Sequence, residues 1–361
     1  MRNYIDDFRD SEVISRIVQS LQGYSGPKLK IMEVCGTHTM AISRYGLRSL
    51  LPRQIELVSG PGCPVCVTPT SYIDSATELA DSKNVIITTF GDMMRVPGNN
   101  STLLHKKAQG SNVQMVYSPL NAVELARNNP DKEVVFLSVG FETTTPVIAL
   151  SVLKAKSEGI KNYSVLTANK TMPEAIKALA DDKELQIDGF LYPGHVSAII
   201  GTDFFSYVAY NMEKAGVVAG FEPLDILYSI KVLVDNIANG SIVFENMYSR
   251  IVAREGNIKA QQKMYEVFEP VDVVWRGIGM IPRSGLGLVK DYEQFDAAKK
   301  FDIKSKDIPE PKGCLCGEVL KGKKRPGDCK LFKKRCTPET PVGSCMVSSE
   351  GTCAAYYKYG E

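Results

Sequence analysis

No run of apolar residues in this 361-residue chain approaches the ~20 that a bilayer-crossing helix needs. Neither sign of charge is in excess. The 43 Lys and Arg face 41 Asp and Glu, a net of +2, so no overall field draws the protein to nucleic acid or to an anionic membrane. The N-terminus "MRNYIDDFRDSEVISRIVQS" lacks the apolar core of a secretory signal; Ile5, Phe8, Val13 and Ile17 instead share one face of an amphipathic helix. Cysteine is scarce over most of the length, with only Cys35, Cys63 and Cys66 before residue 314. These absences describe a cytoplasmic protein, where thiols stay reduced unless they do redox work or hold metal.

What is present is an ordinary globular composition, 44% hydrophobic and 23% charged, on a chain too long for one core. Short runs rich in Val and Ile recur between helical patterns: "KLKIMEV", "IELVSG", "NVIITTF", "VQMVYS", "EVVFLSVG", "YSVLTA", "IDGFLYPG" and "GVVAGFEP". Their near-continuous apolar character is that of buried parallel strands, and the alternation predicts α/β architecture. "VGFETTTPVIALSVLKA" and "AGFEPLDILYSIKVLV" echo one another: each is a strand, then Gly-Phe-Glu, then a proline near a helix start. In the second, Leu227, Ile230, Val234 and Ile237 share a face, and Asn239-Gly240 is a stop signal. We expect two similar open-sheet α/β domains, 1–130 and 131–270, and a small irregular C-terminal region, 271–361.

After about residue 300 the texture changes, becoming rich in Gly, Pro, Lys and Cys and poor in periodic apolar residues. Such a segment buries too little to fold alone, and metal-bound cysteines are the obvious tie. Cys314, Cys316, Cys329, Cys336, Cys345 and Cys353 are six thiols where four suffice. Zinc sites favour paired knuckles, whereas iron–sulfur clusters accept dispersed thiolates, so the spacing leans to a cluster and leaves zinc open. The basic run from Lys321 to Arg335 either offsets a cluster's negative charge or is a solvated, partner-facing loop.

"GPGCPVCVTPT" (60–70) follows the strand "IELVS". A C-x-x-C pair suits a switchable disulfide, and Pro64 stiffens it; half of a zinc site, or two packed thiols, are the other readings. "TPTSYIDSATELA" reads as a helix with Thr68 or Thr70 at its cap, its positive end favouring a thiolate at Cys66. In "EVCGTHTMAISRYG", Cys35 ends a strand and Thr37 can cap a helix that carries His38. That pair could serve as an activated nucleophile, a soft metal site, or simply a packed thiol. "GFETTTP" brings Glu142, and "YPGHVSAIIG" brings His195 and Ser197, to other strand ends, where groups in open sheets gather; turn chemistry alone would also explain them. In "VVWRGIGMIPRSGLG", Trp275 is a packing residue, and Arg276 with its glycines suggests a shaped loop near a site.

Together "MEVCGTHTMAI", "GPGCPVCVTP", "GFETTTP", "YPGHVSAIIG", "WRGIGMIPRSGL" and "CTPETPVGSCMVSSEGTCAAYYKY", in this order from about residue 31 to the C-terminus, closely resemble the HypD family of hydrogenase maturation factors. The resemblance implies two α/β domains and a region holding a [4Fe-4S] cluster. It implies a role in building the Fe(CN)2CO moiety of nickel–iron hydrogenase, with a HypC-type chaperone and a HypE-type donor of cyanide as protein-bound thiocyanate. Carried over by motif, Cys35 would be a thiolate ligand to the nascent iron, with His38 beside it. Cys63 and Cys66 would be the dithiol/disulfide pair that reduces the thiocyanate, Cys316, Cys329, Cys336 and Cys353 would hold the cluster, and Glu350 would lie near it. Cys345 and Cys314 are left out of that ligand set. Met40 stands where some members have a second histidine, which leaves His38 the better iron neighbour. The competing reading is a stand-alone thiol–disulfide oxidoreductase, for which the tail would be dispensable.

Overall fold

The computed structural model describes residues 7–304 and 309–360. Ile5, expected on the N-terminal helix, lies outside them. That helix, Ser11–Gln22, is capped by Asp10, whose carboxylate accepts from the amides of Glu12 and Val13, and it buries Ile17 and Leu21.

The eight expected strands form: β1 (Leu29–Glu33), β2 (Ile55–Ser59), β3 (Val85–Thr89), β4 (Val113–Met115), β5 (Glu133–Ser138), β6 (Tyr163–Thr167), β7 (Gly189–Pro193) and β8 (Ala215–Ala219). Three more were not anticipated: β9 (Phe244–Asn246), β10 (Phe268–Trp275) and β11 (Gly279–Leu288). Every residue of β3, β7 and β8 is buried, as strands covered by helices on both faces must be. Two parallel sheets result, ordered β2-β1-β7-β8-β9 and β4-β3-β5-β6, with β10 and β11 as a separate antiparallel hairpin.

This pairing corrects the domain division. The first sheet draws on residues 29–59 and again on 189–246, and the second on 85–167, so the chain leaves the first sheet and returns to it. A boundary at 130 falls inside the second sheet. One at 270 cuts the β10–β11 hairpin. The echo at Gly-Phe-Glu does join two comparable places, one following β5 and the other β8, in different sheets. After β8 the helix Pro223–Ala238 starts with a Glu222–Asp225 capping box, buries Leu227, Ile230 and Val234, and stops before Gly240, which has φ +69°.

The C-terminal region packs into the body of the protein. Cys316, Leu320 and Cys345 belong to the same apolar cluster as Cys66, Val67, Trp275 and Phe190. Among the described residues no helix is long and apolar enough to cross a membrane.

Candidate functional site

In the first sheet the strand order reverses between β1 and β7, and crevices for ligands form beyond the carboxyl ends of strands at such a point. Cys35 follows β1, and His195 follows β7. Both line a cleft of about 170 Å³, with Thr37, Phe141, Thr144 and Glu350 among the other walls.

Cys35 is itself the N-cap of the helix Gly36–Arg44, the place the sequence suggested for Thr37. The hydroxyl of Thr37 instead donates to Glu350 Oε1 at 2.7 Å. Burial pushes the Cys35 thiol up to about 12; backbone N–H groups of His38 and Thr37 oppose the rise, while Glu350 and Glu33 add to it. Without a cation the sulfur is a thiol, and a coordinated metal reverses that preference. Gly36 has no room for a side chain: a Cβ there would lie 2.6 Å from that of Glu350. Glu350, placed beside the cluster by resemblance, is therefore on the wall of the Cys35 cleft.

His38 is not among the cleft's lining side chains. Its Nε2 donates to the carbonyl of Gly220 at 2.9 Å, its Nδ1 is buried without a partner, and burial lowers its pKa to about 4. Phe221 lies between the two imidazoles, with centroids 4.7 Å from His38 and 4.0 Å from His195. Of the two, His195 is the one in the cleft. Ser197, expected as its helix cap, donates back to the Pro193 carbonyl.

Glu33 was missed. It is fully buried at the end of β1, accepts from Thr39 Oγ1 at 2.7 Å and from the Cys35 amide at 3.4 Å, and lies 3.7 Å from Arg48. Burial raises its pKa to about 7, against the lowering effects of Arg48, Ser59 and Thr39. One signal was available: a carboxylate inside the otherwise apolar "IMEV".

The C-x-x-C loop presses on the Cys35 strand end. The amide of Gly36 donates to the Gly62 carbonyl at 2.9 Å, and a Cβ on Gly62 would come within 2.5 Å of the Cys35 backbone. Only glycine fits there. Gly62 and Pro64 face the cleft, while the two thiols lie behind it, Cys63 3% and Cys66 0% exposed, with no disulfide between them. The Cys66 amide donates to Cys63 Sγ at 3.3 Å. Burial works against a Cys66 thiolate, yet hydrogen bonds with Cys345 and Cys63 bring its pKa down to about 6. Burial and the neighbouring Cys66 push Cys63 the other way. The helix that follows starts only at Thr70, and Thr68 is spent on the Pro64 carbonyl, so neighbouring thiols rather than a helix end favour the Cys66 thiolate.

Behind the dithiol, all six C-terminal cysteines line one small cavity, otherwise apolar-walled by residues such as Val319, Leu331, Phe332 and Met346. Cys314 and Cys345 thus share the lining with Cys316, Cys329, Cys336 and Cys353. Cys345 is the link: its sulfur is 2.8 Å from Cys316 Sγ, and Cys316, Cys353 and Cys66 all push its pKa upward. Ser344 reinforces the contact, donating to the Cys66 carbonyl at 2.7 Å. Among the described residues no three His, Cys, Asp or Glu side chains converge as the ligands of a single ion do. Six thiols around one apolar-walled cavity are a donor set of the soft kind that thiophilic metals take. Next to the cavity but outside its lining, on a turn that rests on Gly317, the guanidinium of Arg276 is buried with Nη1 and Nη2 unpartnered.

A family model described as "Hydrogenase formation hypA family", HypD, matches residues 11–360. The chain is 45% identical to hydrogenase maturation factor HypD of Cupriavidus necator, over 99% of this chain and 97% of that protein. It is 43% identical to HypD2 of Bradyrhizobium diazoefficiens, with the same coverage. To HypD of Escherichia coli K12 it is 43% identical, over 99% of this chain and 98% of the relative.

Proposed function

Since the chain belongs to the HypD family and is a hydrogenase maturation factor, we propose that its cleft is where the Fe(CN)2CO moiety of nickel–iron hydrogenase is assembled. The observation that carries this reading is the stacking of three thiol sites in one line of contacts: Cys35 at the cleft, the Cys63–Cys66 loop against its backbone, and Cys345 joining that loop to the cysteine cavity. The nascent iron is cargo, held by Cys35 and by a thiolate of a HypC-type chaperone. His195, Glu350 and the threonines of the cleft are the polar groups positioned to face its ligands. The carboxylate of Glu350, bonded to Thr37, can hold or pass a proton at that wall.

Cyanide arrives as a thiocyanate on a HypE-type donor. Its release as R–S–C≡N + 2 Cys–SH → R–SH + HCN + Cys–S–S–Cys balances atoms and electrons. The S–C bond breaks, the Cys63–Cys66 bond forms, and the two thiol protons leave on the donor sulfur and on cyanide, which sheds its proton on binding iron. Restoring the dithiol takes two electrons and two protons. A [4Fe-4S] cluster held by Cys316, Cys329, Cys336 and Cys353 would supply single electrons. Cys345 lies where the chain must carry them to Cys66. The work is cytoplasmic, with partners that are proteins.

The stand-alone oxidoreductase reading leaves unused the contact of the tail with the dithiol loop, where Ser344 donates to the Cys66 carbonyl. The test is the double variant Cys63→Ser with Cys66→Ser in a hydrogenase maturation assay, with iron and acid-labile sulfide counted per chain. Wild-type iron content and no active hydrogenase is the expected result. Normal maturation by the double variant would reduce the chain to a passive scaffold.

A further inference from the structure

We propose that Arg276 is the fixed counter-charge of the cysteine cavity and that, with Glu310, it sets how readily the group held there takes up an electron; this rests on the cluster reading given above. Arg276 stands in the turn between β10 and β11. Gly277, with φ +74°, presses that turn onto the start of the helix Cys316–Leu320, where a Cβ on Gly277 would lie 2.2 Å from Gly317 Cα. The Arg276 amide donates to the Val67 carbonyl at 2.9 Å, so the same turn also touches the dithiol loop.

The side chain is 0% exposed. A buried guanidinium costs several kcal/mol in lost hydration unless its donors are satisfied. Here Nε donates to Glu310 Oε2 at 2.8 Å, while Nη1 and Nη2 are buried with no partner. Glu310 is a weak mate, with its side chain 35% exposed. The contact of this turn with Gly317 sets Arg276 beside Cys316, just outside the lining of the cysteine cavity, so its two orphan amino groups are the buried cation next to those thiols.

A cation fixed beside a redox group, in a site with little water to screen it, favours the form with the extra electron. A carboxylate beside that cation weakens the effect. Arg276→Gln should thus lower the midpoint potential, and Glu310→Gln should raise it. A residue that only packs would not produce shifts of opposite sign.

The experiment uses the full chain purified anaerobically. Iron and sulfide per chain come first, then a redox titration followed by electron paramagnetic resonance. Iron content at the wild-type level is expected in both variants. Arg276→Gln should change the oxidised-to-reduced ratio at a fixed potential by about tenfold, or ~59 mV for a one-electron couple, with a smaller opposite change for Glu310→Gln. Unaltered midpoints in variants that keep their iron, or shifts of the same sign, overturn the proposal. Should Arg276→Gln fail to fold, Glu310→Gln decides alone, its half-exposed carboxylate being tolerant of the change. Wild-type protein without iron or sulfide is a different failure: it sinks the cluster reading, and this proposal with it.

Discussion

Both parallel sheets reverse their strand order once, between β1 and β7 in the first and between β3 and β5 in the second, yet the crevices at those points have opposite fates. Beyond β1 and β7 the space is a cleft walled by Cys35 and His195. Beyond β3 and β5 the tail enters: Val347 packs with Val139, Ile73, Met93 and Val96, and only Phe141, Thr143 and Thr144 past β5 reach the Cys35 cleft. Arg95 fastens that plug, donating to the carbonyls of Val347 at 3.0 Å and Pro338 at 3.3 Å. The strand end of each sheet also hides a carboxyl raised by burial to about 7, Glu33 in the first and Glu142 in the second. Glu33 has Thr39, the Cys35 amide and Arg48 around it, whereas Glu142 accepts from the Met172 amide on Oε1 and has nothing at Oε2. A topological switch point supplies a place. What lines it decides whether the place works or is closed.

The contrast breaks most visibly at Cys35. Cys35→Ala should abolish maturation, a loss larger than the ~10–100-fold that follows removal of a residue merely supporting a metal ligand. Its fold should survive, as a thermal melt would record. An equal loss of activity and melting temperature would make Cys35 a packing residue, no different from those of the second crevice.

Next comes the plug. Val347→Asp places an unpaired charge among apolar side chains and should cost about 3–5 kcal/mol. Limited proteolysis should then release the tail, and a thiol reagent should reach Cys66 and Cys345, which are sealed in the native protein. A tail still resistant to protease would show that the thiol contacts hold it without Val347.

The smallest effect concerns the two carboxyls. A carboxyl whose pKa is raised on folding keeps its proton in the native state while the unfolded chain loses it, so stability falls as pH rises from 4.5 to about 7 and is level above. For Glu142 that span corresponds to on the order of 3 kcal/mol. Glu142→Gln can keep the bond from the Met172 amide, should be the more stable protein at pH 8, and should show a shallower decline across the window in urea unfolding. Glu33 continues to titrate, so some decline persists. An unchanged profile would mean that Glu142 ionises in the native state as it does in the unfolded chain.

The strands, the helix after "GFEP" and the gathering of thiols were legible because each is written in nearby residues. Apolar runs of five or six residues declare buried strands, and Gly62 beside a cysteine pair declares a tight loop. What misled was equally specific. His38 sits next to Cys35 in sequence, yet the helix turns its ring to Gly220 and Phe221, and His195 from a distant strand takes the place in the cleft. Glu350 sits among the tail cysteines in sequence, yet it bonds Thr37. Cys345, left out of the expected ligand set, is the contact between dithiol and cavity.

Local order thus decided which elements form and which chemistry the chain carries: parallel strands, a stiff dithiol, a cluster of thiols and a thiol at a strand end. Tertiary pairing decided everything that depends on return. β7 joins β1 and not the sheet just built, and only that long-range register sets His195 opposite Cys35. The tail likewise chooses its crevice by burying Val347 and Glu350 against residues some 250 to 310 positions earlier. Hydrogen bonds between strands and burial between distant apolar side chains leave no periodic mark in the residues that make them, which is why they could be seen only in the folded protein.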